Sequence, residues 1–228
     1  MKRMTTNNKV AFAVTGAMII AILVFLVILT VQAEQVRGGS GDQRDTVDRT
    51  PVSAIDDTSH RLDQGDPGSG VTVVEFLDFE CEACGAMYPV VEDTRQQYAG
   101  DITFAIRYFP LPGHFNSTNA AIAAEAASRQ DKLEEMYTQL FQTQGEWGEQ
   151  QESRAPLFRE YAEQLGLDMA QYDEDVADPA VAARVKKDFD AARDLGLTST
   201  PSFFVNDELL ELTAYDDLGL AIDEALGR

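Results

Sequence analysis

The chain is poor in the side chains that bind metals and nucleic acids. Its 228 residues include two cysteines, two histidines and one tryptophan, and 18 Lys and Arg against 39 Asp and Glu give a formal net charge of −21. Without a basic surface to neutralise phosphates, nucleic acid is excluded as an expected partner. His60 and His114 lie 21 or more residues from either cysteine. This spacing does not fit a zinc site, and we expect neither a metal nor another cofactor.

The first 33 residues contain no acidic side chain. Within them, Val10 to Val31 is a run of 22 residues whose only polar members are two threonines. A helix of this length crosses the roughly 30 Å hydrocarbon core of a bilayer. Three basic residues precede the run, and positive flanks stay in the cytoplasm. We therefore expect residues 1–33 to be a cytoplasmic N-terminus and a single-pass transmembrane anchor in the cell membrane, with the C-terminal part extracytoplasmic.

A cleaved signal peptide is the alternative interpretation of the same segment. Val31 and Ala33 stand where a signal peptidase reads small residues, although the apolar part of a signal peptide usually runs about 7 to 15 residues. In either case the rest of the chain faces an oxidising compartment, in which disulfides persist.

Residues 34–70 show neither helical nor strand periodicity. They are rich in Gly, Asp, Arg, Ser and Thr, a composition typical of a flexible linker. We expect a flexible stalk. Alternatively, its last part around Ser59 to Asp63 already pairs with the domain as a short edge strand. Residues 71–228 then form one domain that is long enough to bury a core.

Periodicity in the rest of the chain predicts an α/β fold. Val71 to Phe79 and Ile102 to Phe109 are apolar runs of strand length separated by a helix-length segment. Between about residues 116 and 195 the apolar residues recur at helical spacing, which predicts an inserted all-helical subdomain. A hairpin that turns at Asn206-Asp207 and a last helix follow. The predicted order is βαβ, helical insertion, ββα.

The only two cysteines stand in the sequence Cys81-Glu82-Ala83-Cys84 at the predicted start of the first helix. Unpaired backbone N–H groups and the helix dipole stabilise a thiolate there, and the thiolate is the reactive species in thiol–disulfide exchange. Cys81 is therefore the expected exchanging sulfur, and Cys84, one turn further in, the resolving one. The alternative is a structural disulfide, which would close a loop of four residues and stabilise the fold little.

Three segments carry a family resemblance: VVEFLDFECEAC at residues 73–84, RYFPL at residues 107–111 and LTSTPSFFV at residues 197–205. Together with the element order, they make residues 70 to 226 resemble the thioredoxin fold. The helical insertion resembles its DsbA-like branch of extracytoplasmic thiol–disulfide oxidoreductases. A Cys-x-x-Cys pattern alone is a weak signal, but this pattern after a buried strand, with Thr-Pro before a second strand about 120 residues later, is a strong one.

The resemblance implies roles for three further residues. Glu75 would be a buried acid that relays a proton to or from Cys84. The Thr200-Pro201 peptide bond would be cis and packed against the cysteines, and the Thr200 backbone would pair with an extended substrate segment. The alternatives are an exposed Glu75 on an edge strand and an ordinary trans proline that opens a strand.

Glu82-Ala83 departs from the best-known members of that branch, which have Pro-His between the cysteines. It supplies no imidazole, and a carboxylate beside the first cysteine raises the pKa of that thiol by repulsion, so we expect a milder oxidant. We expect Asp78 and Glu80 at the surface or rim of the site. His114 is interpreted as a loop histidine that organises a turn, in preference to a role near the thiols.

These features predict an enzyme, a disulfide oxidase that introduces disulfides into reduced or unfolded exported proteins through the Cys81-Cys84 pair. A disulfide reductase or isomerase is the first alternative, and a non-catalytic thioredoxin-like module that binds peptides is the second. The resemblance implies reoxidation by a quinone-linked membrane protein. We expect a monomer attached to the membrane by its N-terminal helix.

Overall fold

The computed structural model describes residues 53–66, 68 and 70–228. The elements in this part of the chain, in order, are β1 (His60–Asp63), β2 (Thr72–Leu77), α1 (Glu82–Gln97), β3 (Thr103–Tyr108), α2 (Ser117–Ser128), α3 (Leu133–Gln142), α4 (Gln144–Trp147), α5 (Ala155–Gln164), α6 (Met169–Ala177), α7 (Pro179–Asp194), β4 (Ser202–Val205), β5 (Glu208–Leu209) and α8 (Asp217–Leu226).

The predicted cytoplasmic N-terminus and anchor, residues 1–33, and the upper part of the predicted stalk, residues 34–52, lie outside the described residues. In the part of the chain that the structure describes, no helix combines the length and the apolar composition needed to cross a membrane.

The described strands form one mixed sheet in the order β1-β3-β2-β4-β5. β2 and β3 run parallel and are joined through α1, whereas the other neighbouring pairs are antiparallel. β2 lies in the centre and is buried along nearly its whole length. A strand covered on both faces is apolar at successive positions, which is why its sequence shows a continuous apolar run. The predicted α/β class, with βαβ and ββα units around a helical insertion, is confirmed.

The two faces of the sheet carry separate hydrophobic cores. On one face Val73 and Leu77 pack with α1, α8 and the helical insertion, in the core that also holds both cysteines. On the opposite face Val74 and Phe76 belong to a smaller core. Because successive side chains of a strand point to opposite faces, Glu75 shares the face of the cysteines.

Helices α2 to α7 occupy residues 117–194 between β3 and β4, in agreement with the predicted all-helical insertion. α2 buries six alanines, and these small side chains let α3, α5 and α7 pack closely around it. Trp147 is fully buried beneath this bundle. Its ring lies 4.9 Å from that of Phe158, and its indole N–H donates to the Leu140 carbonyl at 3.2 Å.

The chain packs onto the domain before the predicted boundary at residue 71. Ala54 is buried, and the guanidinium of Arg107 on β3 donates to the Ala54 carbonyl at 3.1 Å. β1 then pairs with β3 as the anticipated edge strand. Residues 53–63 are therefore a packed lead-in, which corrects the prediction of a flexible stalk up to residue 70. The buried guanidinium needs acceptors, and the carbonyl groups of this segment supply them.

The predicted hairpin turns at Asn206 and Asp207, whose φ angles are 52° and 66°. Asn and Asp tolerate this left-handed conformation, which two-residue hairpin loops require. β5 is shorter than the predicted strand, since it comprises Glu208–Leu209 alone.

Candidate active site at the start of helix α1

Both cysteines lie where the sequence predicts, directly after β2. Cys81 is the N-cap residue of α1, with extended φ and ψ angles of −71° and 121°. Its carbonyl accepts the Gly85 N–H at 3.0 Å, which starts the helix. Both cysteines are free thiols in this structure, with 7% of Cys81 and 1% of Cys84 exposed. Only Cys81 therefore keeps a path to solvent.

The surroundings of Cys81 stabilise its thiolate. The Cys84 side chain, as a hydrogen-bond donor, contributes most to lowering the Cys81 pKa from 9.0 to about 5, and burial opposes this shift. Thr200 and the backbone N–H groups of Ala83 and Cys84 lower the pKa further. Unpaired N–H groups at a helix N-terminus are a general source of this effect.

Cys84 is in the opposite electrostatic situation. Burial raises its pKa well above the ordinary value, and the nearby Glu75 carboxyl and Cys81 raise it further. At neutral pH Cys84 is therefore a thiol while Cys81 is largely a thiolate. This asymmetry fits Cys81 as the exchanging sulfur and Cys84 as the resolving one.

The Thr200-Pro201 segment closes the site from the other side. The Thr200-Pro201 peptide bond is cis, as the resemblance implied. In its thiol form the Cys81 Sγ donates to the Thr200 carbonyl at 3.4 Å, so two segments 119 residues apart in sequence meet at the reactive sulfur.

Glu75 is buried in the centre of the sheet, with 1% of its surface exposed. β2 has neighbours on both sides, which rules out the alternative of an exposed acid on an edge strand. Burial raises the Glu75 pKa from 4.5 to about 8, and its Oε2 atom has no hydrogen-bond partner. A carboxyl that titrates near neutral pH beneath Cys84 is suited to accept and return a proton.

Asp78 and Glu80 are not the surface or rim acids that the sequence predicts, because each is only 1% exposed. Asp78 accepts the N–H groups of Glu80 at 2.9 Å and Leu111 at 2.8 Å, and its Oδ2 lies 2.6 Å from His114 Nδ1. Burial raises the pKa values of both acids, and these hydrogen bonds oppose the rise at Asp78. Both acids are buried because the turn after β2 lies under the helical insertion.

Glu80 ties this turn to two segments of the insertion. Its carboxylate accepts the Asn116 N–H at 2.5 Å, at the start of α2, and the Glu149 N–H at 3.0 Å. Carboxylates are stabilised at helix N-termini. No local pattern in the sequence signals these bonds, because the partners of Glu80 follow 36 and 69 residues later.

Gln144 is a site residue that the sequence analysis missed. Its side-chain amide donates to the carbonyl groups of Phe79 at 2.7 Å and Cys81 at 2.9 Å, and so holds the cysteine turn to α4. A Cβ atom at Gly85 would lie 2.0 Å from the Gln144 Oε1 atom. The only trace in the sequence is that glycine, because a glycine inside a helix often marks a close approach of another group.

An apolar groove borders the reactive sulfur. It has a volume of about 400 Å³ and lies between Ala83 and Met87 of α1, Pro201, and Leu212 and Tyr215 before α8. Tyr215 is 63% exposed. Within the described residues, no cluster of three or more His, Cys, Asp or Glu side chains could hold a metal ion.

Fold and site together define the class: a thioredoxin fold with a helical insertion and a pair of cysteines at the start of α1. The family model described as Thioredoxin matches residues 54–224. The chain therefore belongs to the thioredoxin family. The matched range begins at the packed lead-in before β1 and not at residue 71.

Solved structures share this fold over most of their length. A thioredoxin-like oxidoreductase from Silicibacter pomeroyi is 29% identical with a TM-score of 0.64, and the match covers 78% of this chain and 97% of that chain. The α-DsbA1 protein of Wolbachia pipientis is 20% identical with a TM-score of 0.65, over 76% of this chain and 93% of that chain. The DsbA-like form of the fold is thus confirmed.

Curated relatives are much longer proteins. The Na(+)/H(+) antiporter NhaA 1 of Mycobacterium sp. strain KMS is 38% identical over 148 residues, which are 63% of this chain and 23% of the antiporter. The chain thus spans about a quarter of the length of the curated relatives that it matches.

Proposed function

We propose that this protein is an extracytoplasmic disulfide oxidase that introduces disulfides into exported proteins. The observation that carries the proposal is the asymmetry of the two sulfurs. Cys81 reaches solvent beside an apolar groove and has a pKa of about 5, whereas Cys84 is sealed and has a raised pKa. A thiolate stabilised in this way favours the reduced protein, and a protein that favours its reduced form is an oxidant.

The reaction begins with the Cys81–Cys84 disulfide. A substrate thiolate attacks the Cys81 Sγ, the bond between the two cysteines breaks, and Cys84 leaves as a thiolate that takes up a proton. A second thiolate of the substrate then attacks the substrate sulfur of the mixed disulfide. Cys81 leaves as a thiolate, the substrate disulfide forms, and two electrons remain on the protein as its two reduced sulfurs.

Glu75 is the proposed source of the proton for Cys84. Its pKa of about 8 leaves it protonated in much of the population near neutral pH, and it interacts directly with the charge on Cys84. When Cys84 becomes a thiolate, the proton moves to its sulfur and Glu75 is left ionised. The reverse transfer occurs when the protein is reoxidised.

The groove is the proposed binding site for an extended, unfolded segment of the substrate. Its apolar lining by Met87, Leu212 and Tyr215 suits the side chains that an unfolded protein exposes. The backbone at Thr200, next to the Cys81 Sγ, can pair with that segment as an added strand. The apolar groove and the Thr200 backbone therefore recognise an extended conformation of the substrate more than a particular substrate sequence.

The proposal includes the cellular location and the electron acceptor of the protein. Val10 to Val31 would hold the chain in the cell membrane as a single span, with residues 53–228 outside the cytoplasm. A quinone-linked membrane protein would accept the two electrons, and the protein would work as a monomer.

The decisive experiment measures thiol exchange with the full-length chain. The oxidised protein is mixed with a reduced, unfolded substrate, and we expect two substrate thiols to be lost for each pair of cysteines reduced. A Cys84→Ala variant charged with glutathione at Cys81 should form a covalent complex with the same substrate, and the matched Cys81→Ala variant should form none.

Two outcomes would indicate a function other than that of an oxidase. A reduction potential near the thioredoxin value of about −270 mV would indicate a reductase. Binding of unfolded peptide with no loss of thiols would indicate a non-catalytic binding module.

A further inference from the structure

His114 lies in the loop between β3 and α2, against the turn that carries Cys81. Its backbone N–H donates to the Leu111 carbonyl at 3.0 Å, so it does organise a turn. Its Nδ1 atom lies 2.6 Å from the Asp78 Oδ2 atom. The Asp78 side chain is fully buried, whereas 25% of the His114 side chain is exposed. The ring is thus anchored at one nitrogen and open at its other edge.

Asp78 connects His114 to the reactive cysteine. The carboxylate of Asp78 holds the imidazole, and the backbone carbonyl of the same residue accepts the Cys81 N–H at 3.1 Å. His114 and Cys81 are therefore fixed to one rigid residue at the end of the central strand.

Acidic groups surround this imidazole on the side of the cysteines, and Lys186 of α7 lines the same pocket as the ring on the side of the insertion. Burial alone would lower the His114 pKa, but the contact with Asp78 and the charges of Cys81 and Glu80 raise it. His114 also interacts with Glu82 at the start of α1 and with Glu149 of the insertion. The ring is a positive centre among negative groups, and Cys81 is one of them.

We propose that His114, held as an imidazolium by Asp78, is a positioning residue that stabilises the Cys81 thiolate through its charge. In this role it supplies the positive charge that Glu82-Ala83, between the two cysteines, does not. The inference rests on the proposed function, since it explains how the exchanging sulfur stays reactive despite the carboxylates around it.

The effect has a pH signature that a merely structural role lacks. Below the Cys81 pKa of about 5 the sulfur carries no charge for the imidazolium to stabilise. Above the raised pKa of His114 the imidazole is neutral. The stabilisation is therefore confined to the pH window between these two values, where the charges coexist.

The test compares His114→Gln, which can keep a hydrogen bond to Asp78 without the charge, with His114→Lys, which keeps the charge. In the full-length protein we expect His114→Gln to raise the Cys81 pKa by about one unit, measured as thiolate absorbance. The equilibrium with glutathione at pH 6 should shift about fivefold toward the oxidised protein. His114→Lys should restore both values, and the effect of His114→Gln on the equilibrium should vanish above the raised pKa of His114.

A second measurement needs no variant. Protonation of His114 and formation of the Cys81 thiolate favour each other equally. The nuclear magnetic resonance titration of His114 should therefore give a higher pKa in the reduced protein than in the disulfide form. The His114→Gln variant identifies the signal of His114, since His60 is the only other histidine in the sequence. Equal His114 pKa values in the two redox states would overturn the proposal, as would an effect of His114→Gln that is the same at every pH.

These results are separable from the test of the proposed function. If thiol exchange fails while the His114 pKa still depends on the redox state, the function is wrong and the electrostatic coupling stands. If thiol exchange succeeds while the His114 pKa is independent of the redox state, the proposed function stands and His114 only organises its loop.

Discussion

Cys81 and Cys84 are the same chemical group three positions apart, yet their pKa values are moved in opposite directions. Cys81 lies at the point where N–H groups of α1 have no helical acceptor, and Cys84 lies one turn deeper in apolar surroundings. A helix start thus produces one reactive and one protected sulfur from a four-residue sequence. The difference arises from the hydrogen bond that Cys84 donates to Cys81, from the N–H groups at the helix start and from the burial of Cys84.

Glu75 carries the clearest prediction at the residue scale. Its folded-state pKa of about 8 lies above the ordinary 4.5 because of burial. The folded protein therefore holds this proton over a range in which the unfolded chain has lost it. The stabilising contribution is fully present below pH 4.5 and is lost as the pH rises through 8, at about 1.4 kcal/mol for each pH unit in between.

We expect Glu75→Gln to remove that pH dependence. In urea unfolding of the reduced protein, the stability of the variant relative to the native protein should increase by on the order of 4 kcal/mol between pH 4.5 and pH 8. The same variant should slow the steps in which Cys84 gains or loses a proton, because glutamine cannot exchange one. A constant difference across this pH range would show that Glu75 is already ionised in the folded protein.

At the scale of elements, α4 acts on the active site across a single close contact. Gln144 reaches two carbonyl groups of the cysteine turn, and Gly85 leaves the room for it. The cost is a glycine inside α1, which destabilises a helix by about 1 kcal/mol relative to alanine. Gly85 thus lowers the intrinsic stability of α1 but makes room for the contact with Gln144 of the insertion.

A double-mutant cycle tests this coupling. Gly85→Ala alone should destabilise the protein by about 1 to 2 kcal/mol, because the new methyl group displaces the Gln144 amide and leaves the Phe79 carbonyl without its donor. In a Gln144→Ala background the same change should stabilise by roughly 0.5 to 1 kcal/mol through helix propensity. Urea unfolding of the four proteins measures both effects, and additivity would contradict the contact.

At the scale of the whole molecule, one buried guanidinium joins three parts of the fold. Arg107 on β3 donates to Asp188 of α7 at 2.7 Å and to the Ala54 carbonyl of the lead-in at 3.1 Å. Arg107 is 1% exposed and Asp188 is fully buried. The sheet, the insertion and the lead-in segment before β1 are thus held together at one point.

Arg107→Met should therefore destabilise the protein by about 3 kcal/mol, measured by urea unfolding. This is the lower end of the range for breaking a buried pair, because Asp188 keeps its bonds to Arg184 at 2.6 Å and to the Tyr108 N–H at 3.1 Å. Hydrogen exchange should quicken in residues 53–63, which lose their anchor.

The matched control is Arg159→Met on the surface of the insertion. Arg159 and Asp173 form an ion pair at 2.7 Å, but their side chains are 46% and 50% exposed. We expect no measurable change in stability, because water screens such pairs. Equal effects of the two substitutions would mean that Arg107 is as well solvated as a surface residue.

Much of the fold could be predicted from the sequence, because its signals are local. The apolar run before Cys81 predicts a buried strand, the helical spacing between residues 116 and 195 predicts the insertion, and Asn206-Asp207 predicts the hairpin turn. The strand, the turn and the helix start place the cysteines without reference to the rest of the chain. The anchor at Val10 to Val31 stays a prediction, because it lies outside the described residues.

The sequence by itself therefore determined the order of the elements, the reactive pair and the segment at Thr200-Pro201. Only the tertiary structure decided that Asp78 and Glu80 are buried, that Gln144 holds the cysteine turn, and that the lead-in is packed. Each of these depends on a contact between residues more than 30 positions apart. The periodicity of apolar residues shows which face of a helix or strand is buried. It does not show which distant side chain will hydrogen-bond a given polar group, because that depends on how the elements pack.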